Sequence, residues 1–241
     1  MLRDMKQLIT MAGLLMVLGF TSCLKKDNLD GPNASLEGNF FVAGTKNNFQ
    51  TATGSIQVKL EQLSWSETPA PQEIPSKIDG TYKNSKLFGG HYRVTPYGGA
   101  FWPVLPIEID ISGGTKQDFE LTPYTEINNF TVQLDTTTLK LRFDISAPVE
   151  AGMPTITEIQ PYLNTTSMVG PGASIYEFSD MKKITVNKEW ADMTPADKSP
   201  EITIEGLLPG RIFYVRVGVR YNDSYKSSNL SNIIQIKVDQ K

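Results

Sequence analysis

The sequence predicts an all-β protein built of two consecutive antiparallel β-sandwich domains behind an export signal and a polar tether. Three observations predict it. Apolar residues alternate with period two along most of the chain, Gly and Pro clusters interrupt that alternation at short intervals, and no stretch keeps a helical period over the roughly 11 residues needed to define one. Ile56 to Leu60, Ile107 to Ile111 and Leu139 to Ile145 each set aliphatics on one face and polar residues on the other, as a half-buried strand requires. Gly89-Gly90, Gly98-Gly99, Gly113-Gly114, Gly152 to Pro154, Gly170 to Gly172 and Pro209-Gly210 mark the turns. Glu189 to Lys198, with Trp190, Met193 and Pro195, reads as a long loop with room for one helical turn before Pro200.

The N-terminus differs in kind. Arg3 and Lys6 precede an apolar stretch, Leu8 to Phe20, followed by Thr21-Ser22 and then Cys23. The stretch falls short of the roughly 20 residues that cross a bilayer, and it suits the roughly 7 to 15 apolar residues of an export signal behind a basic start. Residues 1–22 are therefore expected to be cleaved as a lipoprotein signal peptide. Cys23, the single cysteine among 241 residues, is expected to take the lipid, since a lone thiol in an oxidising compartment has no disulfide partner. Phe20 and Ser22 around that cysteine resemble the relaxed lipobox of Bacteroidetes lipoproteins, which implies an outer-membrane location. Acyl chains contribute about 0.8 kcal/mol per buried methylene, so several of them anchor a protein durably.

Removing Arg3, Lys6 and Asp4 with the signal takes 23 basic and 26 acidic residues to 21 and 25, a net charge of −4 on 219 residues. No basic face for phosphates is available in such a balance, so a nucleic-acid partner is not expected. Residues 23–34 are polar, with Lys25-Lys26-Asp27 and Gly31-Pro32, and form the expected flexible tether. In Bacteroidetes lipoproteins a charged stretch behind the acylated cysteine directs export to the cell surface, and Lys26-Asp27 approximates it weakly. The cell surface and the periplasmic face both stay open. The remaining length suits two domains of about 100 residues, assigned to residues 35–123 and 124–241. Pro123 stiffens the joint, where an alternating run ends at Phe119-Glu120-Leu121 and the next begins at Ile127.

Asp79-Gly80-Thr81-Tyr82, then Leu87, then Gly90-His91-Tyr92-Arg93-Val94, behind Leu36-Glu37-Gly38, resemble the carboxypeptidase-regulatory-like, or prealbumin-like, module. The motif predicts a tight turn at Asp79-Gly80 and buried Tyr92 and Val94. Leu207-Leu208-Pro209-Gly210, then Phe213, Val215, Val217 and Val219, resemble the closing strands of a fibronectin type III domain, with Phe213 in place of the usual corner tyrosine and Tyr214 pointing the other way. Lipobox and two modules in that order, with Asp27 to Pro32, Tyr97 to Pro103 and Phe119 to Tyr124, resemble a Bacteroidetes surface lipoprotein family of unknown function. Its members are typically encoded beside SusC/SusD-type glycan importers. The resemblance implies capture or handling of polysaccharide and transfers no site residues.

The chemistry-bearing residues are sparse. His91 is the single histidine, placed by strand alternation opposite Tyr92 and toward solvent, so neither a zinc tetrahedron nor a Cys–His dyad is expected. Prealbumin-like folds also occur in iron dioxygenases with two histidine ligands, which one histidine cannot supply. No D-x-D-x-D-G loop is present for calcium, and no pair of carboxylates stands out for glycoside hydrolysis. Asp79-Gly80 and Asn222-Asp223 read as turn residues. The chain is thus expected to be non-catalytic, without metal or cofactor.

Sugar rings pack their C–H faces on flat aromatics, which makes loop aromatics the candidate ligand-binding residues. Tyr97, Phe101 and Trp102 belong to the glycine-hinged loop Tyr97 to Pro103; Trp65 lies on the Leu63 to Glu67 loop, and Trp190 is the third tryptophan. The expected function is a polysaccharide- or oligosaccharide-binding accessory lipoprotein working with a SusC/SusD-type transporter. The alternative is a protein-interaction or scaffolding lipoprotein of the cell envelope.

Overall fold

The computed structural model describes residues 30–240; Cys23 and the signal segment lie outside the described residues. Among the described residues sixteen strands follow one another, with two large cores and a small third cluster of Tyr162, Val169 and Leu230. In the first domain β1 (Ala34–Val42) is flanked by β4 (Thr81–Leu87), β7 (Gly113–Lys116) and β8 (Phe119–Leu121). The facing sheet runs β3 (Gln72–Pro75), β2 (Gln57–Gln62), β5 (Gly90–Tyr97) and β6 (Ile107–Ile111). Alternation decides what each strand buries: Leu36 and Phe40 from β1, Val58 and Leu60 from β2, and Tyr92 and Val94 from β5 point into the layer between the sheets. The first sheet is not purely antiparallel. β7 and β8 both run parallel to β1, because the chain returns from β6 along the edge of the opening strand.

Two glycines fix this domain's geometry. Gly80 has φ +78°, which only glycine adopts at low cost, and a Cβ on it would lie 2.5 Å from the Phe49 carbonyl oxygen, so Asp79-Gly80 forms the tight turn. Gly38, mid-strand, faces the chain crossing from β7 to β8, and a Cβ there would lie 1.7 Å from the Gln117 carbonyl oxygen. That same carbonyl accepts the Tyr82 hydroxyl hydrogen bond.

In the second domain β9 (Glu126–Asp135), β10 (Thr138–Ser146) and β13 (Glu201–Ile204) form one sheet. The other carries β12 (Ile184–Lys188), β11 (Ile156–Asn164), β14 (Ile212–Tyr221), β15 (Ser228–Leu230) and β16 (Ile234–Lys237). Leu139, Leu141, Phe143 and Ile145 of β10 meet Phe213, Val215, Val217 and Val219 of β14 across the core. Phe213 is buried beneath a half-exposed Tyr214, as the alternation requires. The loop after β12 holds a 3-10 turn, Trp190–Asp192, and one α-helical turn, α1 (Pro195–Lys198). Thr194 caps α1: its hydroxyl accepts from the Asp197 amide while the Asp197 carboxylate accepts from the Thr194 amide, a reciprocal pair that a lone turn needs to persist.

Gly38→Ala is expected to lower stability by about 3 kcal/mol or more, since the new methyl overlaps backbone that cannot retreat. Gly44→Ala, also a turn glycine (φ +73°) but with open space around it, should cost only about 1 kcal/mol. Urea midpoints of the two variants check the contrast.

Candidate functional site

The two domains are joined by buried polar contacts as well as by the chain. Arg216 of β14 is fully buried, although its side chain projects from the outer face of the five-stranded sheet. It is covered there by the first domain and by the loop after β11. Nε and Nη2 donate to the Ser231 carbonyl oxygen at 3.0 and 2.6 Å, and Nη1 donates across the domain boundary to the Thr51 carbonyl oxygen at 2.8 Å. Burial holds its pKa down, to about 10. A second link centres on Asn229, which donates to the Ala100 carbonyl oxygen at 2.8 Å and accepts from the Thr125 amide at 2.9 Å. The Tyr221 hydroxyl joins it, 2.9 Å from Asn229 Oδ1 and 2.6 Å from Thr125 Oγ1.

Beside Arg216 that outer sheet face opens into a cleft of about 850 Å³ between the domains. Its floor is made by Gln160, Tyr162, Arg220, Ser228 and Leu230. Register sets the packing of this floor: Gly218 is the cross-strand partner of Gln160, and Leu230 and Tyr162 close over it, so that a Cβ there would lie 2.7 Å from Leu230 and 2.9 Å from Tyr162. Two turns of the first domain, Ala52 to Ser55 and Tyr97 to Gly99, form one wall. Pro171 to Tyr176 and Tyr225 to Ser227 form the other.

The walls are turns in which left-handed residues set the direction of the chain: Gly54 (φ +74°), Gly98 (φ +90°), Gly172 (φ +75°) and Lys226 (φ +50°). The Lys226 turn is tied by the Asp223 carboxylate, which accepts from the Ser227 amide at 2.8 Å and the Ser227 hydroxyl at 2.6 Å, so Asn222-Asp223 are turn residues. This turn sets Tyr225 with its ring centroid 5.8 Å from that of Tyr97. The Tyr97 hydroxyl donates to Glu73; that hydrogen bond, with some burial, pushes its pKa up to about 12 and fixes the ring. Tyr176 stands exposed on the opposite rim. Tyr162, on the floor, has its pKa raised to about 12, chiefly by burial. Arg220 reaches Glu158 at 3.1 Å, and Lys183 reaches the other oxygen of the same carboxylate at 3.1 Å. The arrangement offers aromatic faces at the rim and amide, hydroxyl and guanidinium groups below, suited to a polar ligand with flat apolar faces.

Of the aromatics singled out in the sequence, Tyr97 alone lines this cleft. Trp65 is 83% exposed on the loop after β2 and stands apart from it. Phe101 is corrected: it is buried in the first core, edge-on to Phe49. Trp190 is corrected likewise, buried in the second core with the Lys198 ammonium 4.2 Å above its ring. Trp102 is half-buried, edge-on to Tyr124 and packed on the second core, with Nε1 buried and unpaired. The physical reason is alternation in the extended Ala100-Phe101-Trp102 segment. Phe101 faces one core while Ala100 and Trp102 face the other, so the segment is a seam between domains and not a platform. His91 faces solvent, as alternation predicts, with Nδ1 2.9 Å from Asp110 and Nε2 3.2 Å from Glu108. Sequence reasoning missed Gln160, Arg220, Tyr176 and Tyr225. Only the polar interruptions of the apolar pattern on β11 and β14 signal the floor.

Profiles described as "Protein of unknown function (DUF3823) N-terminal domain" and "Domain of unknown function (DUF3823_C)" match residues 34–122 and 125–235. The chain belongs to the DUF3823 family. Solved structures share the fold of this DUF3823 protein. A DUF3823 family protein from Bacteroides uniformis ATCC 8492 is 22% identical, aligning with 86% of this chain and 100% of its own, at a TM-score of 0.75. Another from Parabacteroides merdae ATCC 43184 is 21% identical over 86% of this chain and 100% of its own, at 0.69. A Bacteroides uniformis ATCC 8492 protein described as a "putative carbohydrate binding protein" is 20% identical over 86% of this chain and 100% of its own, at 0.72. At these identities the likeness is one of fold. No curated protein matches the chain.

Arg216→Met is expected to lower stability by about 3 kcal/mol, because the Thr51 and Ser231 carbonyls are left buried without their charged donor; denaturant unfolding measures it. His91 is expected to titrate above its ordinary value, raised by Asp110 first and Glu108 second. Its contribution to stability is therefore complete below the ordinary histidine pKa and is lost as pH rises through the raised one. A proton NMR titration of His91, with Asp110→Asn moving it back down, checks the sign.

Proposed function

We propose that this DUF3823 protein is a non-catalytic saccharide-binding lipoprotein of the bacterial outer membrane, anchored through Cys23 and serving a SusC/SusD-type glycan importer. The observation that carries the binding role is the interdomain cleft, where tyrosines at the rim surround a floor of amide, hydroxyl and guanidinium groups. Sugar C–H faces match the rings and sugar hydroxyls match the floor. The Bacteroides uniformis protein that shares this fold, described as a "putative carbohydrate binding protein", supports the same reading. Among the described residues that line the cleft, Asp180 is the one carboxylate, whereas the usual glycosidase chemistry works with two. The basic and apolar N-terminus, ending at Cys23, supports the anchor and the envelope location.

The test is affinity electrophoresis of the mature protein in gels containing xylan, arabinan, galactan, mannan or starch, followed by calorimetry on the best binder. Wild type is expected to bind at least one. Tyr225→Ala should weaken binding about tenfold, equivalent to about 1.4 kcal/mol, while Trp65→Ala, outside the cleft, leaves it unchanged. Absence of binding to every polysaccharide would sink the reading. In cells, Cys23→Ser should abolish incorporation of labelled palmitate.

A further inference from the structure

The floor of the cleft holds a side chain that the fold does not use. Gln160 is only 6% exposed, yet among the described residues its carboxamide makes no hydrogen bond, and what remains exposed of the residue lines the cleft. Asn229, Ser231 and Arg216, other buried polar side chains close to this floor, are engaged. Asn229 bonds Ala100 and Thr125, Ser231 accepts from the Val217 amide at 3.0 Å, and Arg216 is committed to carbonyl oxygens. The amide has no hydrogen-bond partner within the described chain and Gln160 lines the cleft, so the partners open to it are reached from the cleft.

The surroundings narrow those partners. Across the sheet the partner of Gln160 is Gly218, which offers no side chain to meet the amide. Along β11 its neighbours on the same face are Glu158, turned to Arg220 and Lys183, and Tyr162, whose hydroxyl has Ser228 beside it. The carboxamide carries one acceptor and an adjacent pair of donors, on a residue that lines the cleft. Two neighbouring ring hydroxyls, one donating and one accepting, match that pattern side by side, and a site built this way rejects a ligand lacking either hydroxyl because the amide is again left unpaired.

We propose that Gln160 is the specificity-determining residue of the cleft, reading a pair of adjacent free hydroxyls on a saccharide whose ring packs against the rim tyrosines. This deepens the saccharide-binding reading and rests on it.

The experiment compares wild type with Gln160→Met, which keeps the length of the side chain and removes the amide, on the polysaccharide gels named above. Gln160→Glu, which keeps the shape and an acceptor but no amide donor, is the second variant. The expected result is a wild type that binds, and both variants with Kd raised about tenfold or more. The thermal midpoint of Gln160→Met should stay within about 2 °C of wild type, because the free protein loses no hydrogen bond. O-methylation of adjacent hydroxyls on the bound saccharide should weaken wild type by a similar factor and Gln160→Met little further. If wild type binds and Gln160→Met binds equally well, the proposal is overturned while the cleft stands as a saccharide site. A fall of many degrees in the midpoint of Gln160→Met also overturns it, marking the amide as structural. If wild type binds no polysaccharide, the reading beneath the proposal is what fails.

Discussion

The guanidinium of Arg216 is the contact on which the rest of the arrangement depends. A fully buried charge is tolerated only when its donors are met, and here they are met by backbone carbonyls on both sides of the domain boundary. Carbonyls belong to backbone that packing already holds, so the bonds tie the Ala52 to Ser55 turn of the first domain to the sheet of the second. The Asn229 and Tyr221 network adds a second tie nearby, Asn229 standing two residues before the Ser231 that Arg216 bonds. Two links hold the junction more firmly than one. A cleft walled by turns from two domains thereby keeps a set width, and a preformed site loses less to ordering when a ligand binds.

The cleft exists because one sheet face is used twice. β14 alternates valines toward the core with Arg216, Gly218 and Arg220 on the other side, and β11 alternates in step, presenting Glu158, Gln160 and Tyr162. At Arg216 that outer face is covered by the first domain, and beyond Gly218, over which Tyr162 and Leu230 pack, it opens into the cleft. Coverage and opening on adjacent pairs of residues place Gln160 in a nearly closed setting that still reaches the cleft. The tyrosines above it come from turns whose directions are set by left-handed residues, and so they depend on backbone geometry more than on side-chain packing.

The seam at Ala100-Phe101-Trp102 shows why aromatic loops mislead. In one dimension, a glycine-flanked aromatic cluster between strands has the composition of a binding platform. In the fold the segment passes between two cores, and burying large rings on both sides of it stabilises the junction more than exposure ever would. Phe101 and Trp190 are core for that reason, and Trp102 is mostly so. Tyr97 escapes because it precedes the glycines and its hydroxyl is held at the surface by Glu73.

By itself the sequence determined the strand content, the turn at Asp79-Gly80, the inward Tyr92 and Val94, the outward His91 and the alternation of β10 and β14. Each is a local consequence of the period-two pleat or of glycine's freedom, and needs no distant partner. The parallel return of β7 and β8 along β1, the burial of Arg216 and the meeting of Tyr97, Gln160, Arg220 and Tyr225 were decided only by the tertiary structure. Those residues lie far apart along the chain, and what brings them together is how one domain's turns settle on the other's sheet, a packing geometry that no local period encodes.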